Sequence, residues 1–239
     1  MNSNPWRRRR LIAAGSIVAG LVAGFVPRAY AQHLNPGVMP PQATAFGMTY
    51  GEWSAKWWQW AFSLPVDQNP FFDEGGSCSN GANGQAEPGP VWFLTGVINV
   101  SGTAVRACTV PAGKALFFPL INVECSTLEP DPFHGNNKTE LAACATGFHF
   151  GNVSAEIDGV PVQDLNGYLK KSPLFTFTVP PNNVLGVAAG TGQSVSNGYY
   201  LMLAPPSVGE HEIHFGGTFT DFAFTLDITY RLTVAQRRP

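Results

Sequence analysis

Four of the chain's six tryptophans fall within residues 49–64, TYGEWSAKWWQWAFSL, and no other stretch restricts the fold as strongly. Thr49 followed by Glu52 forms a capping box, in which hydroxyl and carboxylate each accept from a backbone N–H that a first helical turn leaves unpaired. Met48 and Trp53 stand at the positions of a hydrophobic staple, and Pro65 stops the helix. Trp53, Trp57, Trp60 and Leu64 recur at the three-four spacing of one helical face, while Glu52, Lys56, Gln59 and Ser63 occupy the other. Trp58 and Phe62 lie beside the stripe, so the apolar face is wider than a surface helix needs: either it is covered from two sides or it binds something. A buried indole removes about 150–250 Å² from water, worth about 4–6 kcal/mol gross at about 25 cal/mol per Å². On that scale Trp53, Trp57 and Trp60 are expected in the core. Trp58, with Trp92 farther along, is a candidate binding ring for the flat face of a sugar.

Residues 1–31 read as an export signal: Arg7 to Arg10, an apolar run over 11–26, then Ala29-Tyr30-Ala31 as the cleavage site. The arginines directly before Leu11 and Ile12 fit a twin-arginine signal, and a strongly basic general secretory signal fits as well. Gly15, Gly20 and Gly24 interrupt the run, and no later stretch reaches the roughly 20 apolar residues of a bilayer span. The expected mature protein is exported, periplasmic or extracellular, with no transmembrane segment. Loss of the signal takes five of the fourteen basic residues and no acid, leaving nine against sixteen. An acidic chain without a basic stripe is a poor partner for nucleic acid.

Four cysteines in an exported chain read as disulfides with three pairings open. Cys78 with Cys108 and Cys125 with Cys144 closes the shorter, non-overlapping loops, each constraining the unfolded chain by about 3–4 kcal/mol. Residues 32–48 are Pro-rich and unpatterned, an extended arm. Residues 69–90 form a long polar loop that Cys78 ties to something rigid. From Val91 onward the texture is β: residues 91–98, 104–110 and 115–123 suggest a three-stranded meander. Residues 137–144 suit a short helix, and Asp158-Gly159 suits the turn of a hairpin over 155–162. Residues 174–179, 199–203 and 209–215 are further strands. Phe224, Leu226, Ile228, Tyr230, Leu232 and Val234 alternate with polar residues, the period of a strand with one wet face. The expected fold is mainly β, an antiparallel β-sandwich, immunoglobulin-like or jelly-roll-like, with the Trp-rich helix packed on it and residues 49–239 forming one domain.

The segments WSAKWWQWAFSLP, GPVWFLTG, CTVPAGKALFFPLIN and GEHEIHF together resemble a family of exported prokaryotic proteins with a Trp-rich WSAKWWQW-type helix. The strand over 209–215 is also similar to the last strands of bacterial immunoglobulin-like domains. Neither resemblance implies a catalytic residue, so any chemistry must come from the side chains. His211 and His214, three apart on a strand, face opposite ways and cannot share a metal; Glu212 and His214 share a face but need a third ligand. A copper brace would require His33 to become the first residue, and the cleavage site leaves Gln32 there instead. Phosphate-binding glycine loops and nucleophile elbows are absent after the signal. Glu124 stands between an apolar run and Cys125, so partial burial is expected, with Arg106 on the preceding strand as ion-pair partner. Two readings follow. One is a non-catalytic binding or envelope-associated protein without cofactor, its partner a polysaccharide or another envelope component, with Trp58 and Trp92 as the rings. The other is a secreted enzyme with its site between helix and sheet, drawing on Glu124, Arg106, His134 and Asp73.

Overall fold

The structure is a computed structural model and describes residues 35–73, 76, 78–98 and 101–236; the expected export signal and the start of the arm lie outside them. The Trp-rich segment is helix α1, Tyr50–Ser63. Its capping box is formed: the Glu52 N–H donates to Thr49 Oγ1 (3.3 Å) and the Thr49 N–H to Glu52 Oε2 (2.7 Å). Trp53, Trp57, Trp58, Trp60 and Phe62 are all buried, so the wide apolar face is covered on both flanks of the stripe.

Among the described residues ten strands follow: β1 Val91–Phe93, β2 Gly102–Pro111, β3 Ala115–Ser126, β4 Phe150–Ile157, β5 Val160–Pro161, β6 Leu169–Lys171, β7 Phe175–Val179, β8 Gly190–Leu203, β9 Gly209–Phe219 and β10 Phe224–Ala235. They form two five-stranded sheets. The first runs β1-β3-β8-β6 with β7 also on β8, and the second runs β2-β10-β9-β4-β5. Helix α2, Lys138–Gly147, follows β3 and is capped by Asn137, whose Oδ1 accepts from the Thr139 and Glu140 N–H groups.

Two expectations need correction. The sheets are of mixed orientation, because β1 pairs parallel with β3 and β2 pairs parallel with β10. Residues 91–123 therefore form no meander: β2 leaves its sequence neighbours and joins the other sheet. The burial patterns give the reason. β2 alternates buried and exposed along Arg106–Val110, as a strand with one wet face must, whereas β3 is buried at nearly every position. A strand that is apolar on both faces needs cover on both. Phe117 packs against Trp53 of α1 on one side, and Phe118 packs against Phe215 of β9 on the other (centroids 6.3 and 5.1 Å).

Both disulfides pair as spacing suggested, Cys78 with Cys108 and Cys125 with Cys144. The first fixes the polar loop to β2 and the second fixes α2 to β3. The loop is also held by side chains: Gln85 brackets Phe93 by accepting from its N–H and donating to its carbonyl (both 2.9 Å). No described helix is long and apolar enough to cross a membrane.

The stripe tryptophans carry the packing, and Trp57 is the most enclosed of them at 1% exposed, with its indole N–H donating to the Leu94 carbonyl (2.8 Å). Trp57→Ala is expected to cost about 3–5 kcal/mol in urea unfolding, through lost burial and an orphaned carbonyl. A loss under about 1 kcal/mol would show that the helix is not part of the cooperative core.

Candidate functional site

Strand β3 has an incomplete neighbour. On its outer edge β1 reaches only Ala115 to Phe117, and the next backbone contact there is at Ser126, whose N–H and carbonyl bond Phe133 and Gly135. Pro119, which has no N–H to leave unpaired, and a register shift between Pro119 and Ile121 lie in the gap. A cavity of about 270 Å³ opens alongside it, lined by consecutive residues Ile121 to Glu124 of β3. Trp58 and Phe62 of α1 form one wall, and Phe219, Phe224 and Leu226 of the second sheet form the opposite one, with Phe133 and Phe222 beside them.

The polar groups of this aromatic chamber are few. Glu124, 4% exposed, accepts a short hydrogen bond from Ser194 Oγ on β8. Its carboxyl is also hydrogen-bonded to that of Glu129, from the loop after β3, and Glu129 accepts from Ser126 Oγ (2.8 Å). Burial pushes Glu124 well above the usual carboxylate range, and the neighbouring Glu129 pushes it further the same way. Burial raises Glu129 as well, against the lowering effect of its bonds to Glu124 and Ser126. Among the described residues no basic side chain pairs with either acid. Burial and the presence of a second carboxyl both favour a retained proton over double ionisation of the pair. Above them Asn122 donates to the Tyr200 hydroxyl (3.2 Å), and Gly198 on β8 lets Asn122 sit close, because an added Cβ there would collide with it. The Trp58 indole N–H makes no hydrogen bond, although the Tyr200 hydroxyl lies near it.

The residues singled out in the sequence are dispersed. Arg106 does not pair with Glu124, because β2 belongs to the second sheet. Its guanidinium, 1% exposed, donates to the Thr95 and Phe71 carbonyls (3.3 and 3.5 Å) and to the Tyr230 hydroxyl (3.2 Å). His134 lies next to the acid pair but binds the backbone carbonyl of Glu129 through Nδ1 (2.8 Å), not a carboxylate. Asp73 caps its own loop, accepting from Ser79 Oγ and the Asn80 N–H (both 3.1 Å). Trp58 and Trp92 are 6% and 7% exposed, so neither ring offers a face to a polysaccharide; Trp58 lines the cavity instead. Glu212 and His214 each have a partner on β10, Arg231 (3.6 Å) and Asp227 (2.6 Å). Among the described residues no three His, Cys, Asp or Glu side chains converge as a metal site.

Two features lay beyond sequence reasoning. Glu129 was visible only as a loop acid, and its approach to Glu124 depends on the turn that returns the chain to Ser126. The second feature is Ser207, His211 and Asp158, in line with His211 Nε2 3.2 Å from Ser207 Oγ and Nδ1 2.7 Å from Asp158 Oδ2. This order resembles a nucleophile–base–acid relay, but Nε2 also meets the Ser207 carbonyl (3.0 Å), which takes an N–H, and the serine is exposed away from the cavity. Burial alone lowers the His211 pKa, yet Asp158 and that carbonyl outweigh it and raise it. The trio ties a loop to a hairpin.

No family model matches the chain, and no curated protein matches it. Among solved structures it is similar to "Solution Structure of Amebosin" (13% identity, TM-score 0.22) and to "Structure of PbICP-C in complex with falcipain-2" (11% identity, TM-score 0.26). Each overlap covers 62% of this chain and 100% of the other, and at these scores neither bears on fold or function.

The acid pair sets a pH dependence with a definite sign. Folding raises both carboxyl pKa values, so the folded state keeps protons that the unfolded chain releases. That contribution is fully present below the ordinary glutamate range and is lost as pH climbs through the raised values. Glu124→Gln keeps the shape without the ionisation, so its Tm should gain on the wild type between about pH 5 and about pH 8. His211 titrates alike in both proteins and cancels in the difference. Parallel melting curves at the two pH values would sink the assignment.

Proposed function

We propose that this protein is an exported, non-catalytic β-sandwich binding protein that takes one small, largely apolar molecule into the cavity beside β3. The observation that carries the reading is the combination found there: aromatic walls and two adjoining glutamates that have no basic partner among the described residues. Ligand sites are apolar hollows with a few convergent polar groups, and about 270 Å³ lies just below their usual range of about 300–1,000 Å³. Such a volume suits a single ring or a short chain. Export is supported by the signal read over residues 1–31, the resemblance to exported prokaryotic proteins, and the two disulfides, which persist where the surroundings oxidise. With Trp58 and Trp92 buried, an envelope partner would be met through this cavity or through other surfaces, not by ring stacking.

A carboxyl pair holding a proton is also the apparatus of acid–base catalysis, and this favours an enzyme as the second reading, with Glu124 and Glu129 in place of the residues first suspected. Chemical change in a bound molecule would decide for it.

Titration of the mature protein with 2-phenylethanol, a neutral single-ring probe, should shift the tryptophan emission saturably and raise stability by about 2.7 kcal/mol at 100 times Kd. Ile98→Trp, which fills the cavity from its rim, should abolish both effects while the far-ultraviolet circular dichroism stays unchanged. Equal responses in the two proteins would place the probe elsewhere.

A further inference from the structure

Resting on the cavity reading above, we infer that the ligands preferred are protonated amines carrying one aromatic or short aliphatic group. The charge inventory of the chamber is one-sided. Glu124 enters from β3 and Glu129 from the following loop; β3 also brings the amide of Asn122, α1 brings the ring of Trp58, and the hydroxyls of Ser194 on β8 and Ser126 at the end of β3 donate to the two carboxyls. No lysine, arginine or histidine lines the space. The nearest imidazole, His134, is turned to a backbone carbonyl. Buried acids normally have a cation or a set of N–H donors for company, and these two have each other and two serines.

An ammonium group supplies the absent positive charge. On entry it donates hydrogen bonds to both carboxyls, the proton they held passes to solvent, and the pair is left doubly ionised around the cation. The walls suit the rest of such a molecule, since Trp58, Phe62, Phe219 and Phe224 offer ring faces to a cation and apolar contact to its hydrocarbon part. A carboxylate or phosphate ligand would meet like charge with nothing to offset it. A neutral alcohol would find hydrogen bonds but no charge complement.

Calorimetric titration of the mature protein with 2-phenylethylamine, 2-phenylethanol and 3-phenylpropanoate, each in two buffers of different ionisation enthalpy, tests this. The amine should bind roughly tenfold or more tighter than the alcohol, with the propanoate weakest, and only the amine should release a proton. Glu129→Gln and, separately, Glu124→Gln should bring the amine to within about threefold of the alcohol while alcohol binding is retained. An alcohol that binds as tightly as the amine, or an amine preference untouched by both substitutions, would overturn the amine assignment and leave the cavity reading standing. Failure of all three probes to bind would remove the cavity reading itself.

Discussion

Three indole N–H groups on one helix hold three separate pieces of chain. Trp53 donates to Ala45 in the arm, Trp57 to Leu94 just after β1, and Trp60 to Asn83 in the polar loop, at 2.8–2.9 Å. An indole buried in a core must find an acceptor for its N–H, and a backbone carbonyl in a loop must find a donor. Each bond meets both needs at once, which is why a loop as poor in apolar residues as 69–90 can be ordered. The helix itself binds the first sheet through ring contacts, Phe62 on Phe177 and Trp53 on Phe117. Hydrocarbon burial thus fixes the helix, and the polar ends of the same side chains fix what surrounds it.

The cavity is a consequence of how β3 is enclosed. With α1 over one face and the second sheet over the other, β3 is buried at nearly every position, and its backbone edge lies open where β1 ends opposite Phe117. Exposed strand edges invite further pairing and are usually blunted. Here Pro119, the adjoining register shift and the aromatic residues at the β9–β10 turn do that without filling the gap. The free edge, the proline and the hollow are one feature, and the two glutamates stand at its lower end because the chain turns back there to cap the strand at Ser126.

Local signals in the sequence translated well. The capping box, the short helix over 137–144, the Asp158-Gly159 turn and the alternation of β10 each depend on residues within a few positions of one another, and each is present. The disulfide pairs followed from loop closure. What depended on distant partners was not legible. That β2 pairs with β10 and not with its sequence neighbours is decided by Arg106, Cys108 and Val110 needing a core on one side only, whereas β3 needs one on both. Once β2 had been assigned to the wrong sheet, the supposed Arg106–Glu124 pair followed from it and failed with it. Glu129 was unreadable for a related reason: nothing in a loop acid's own neighbourhood tells that the fold will bring it against another.

Arg106 and Glu124, both buried, are treated in opposite ways. Arg106 is enclosed without a carboxylate, yet carbonyl oxygens of Thr95 and Phe71 and the Tyr230 ring and hydroxyl surround it, so its charge is spread over fixed dipoles that hold two loops to the second sheet. Among the described residues no cation pairs with Glu124 or with the half-buried Glu129, which accept from the Ser194 and Ser126 hydroxyls beside the ring-walled cavity. Pairing the arginine with one of the acids would have neutralised both, and the topology forbids it by giving them to different sheets. Replacing a buried charge by an apolar residue of similar size commonly stabilises a fold. Keeping Glu124 buried against a second acid and beside a hollow therefore works against stability wherever the pair must ionise. Under the proposed function, an incoming amine would supply the charge that the fold leaves out.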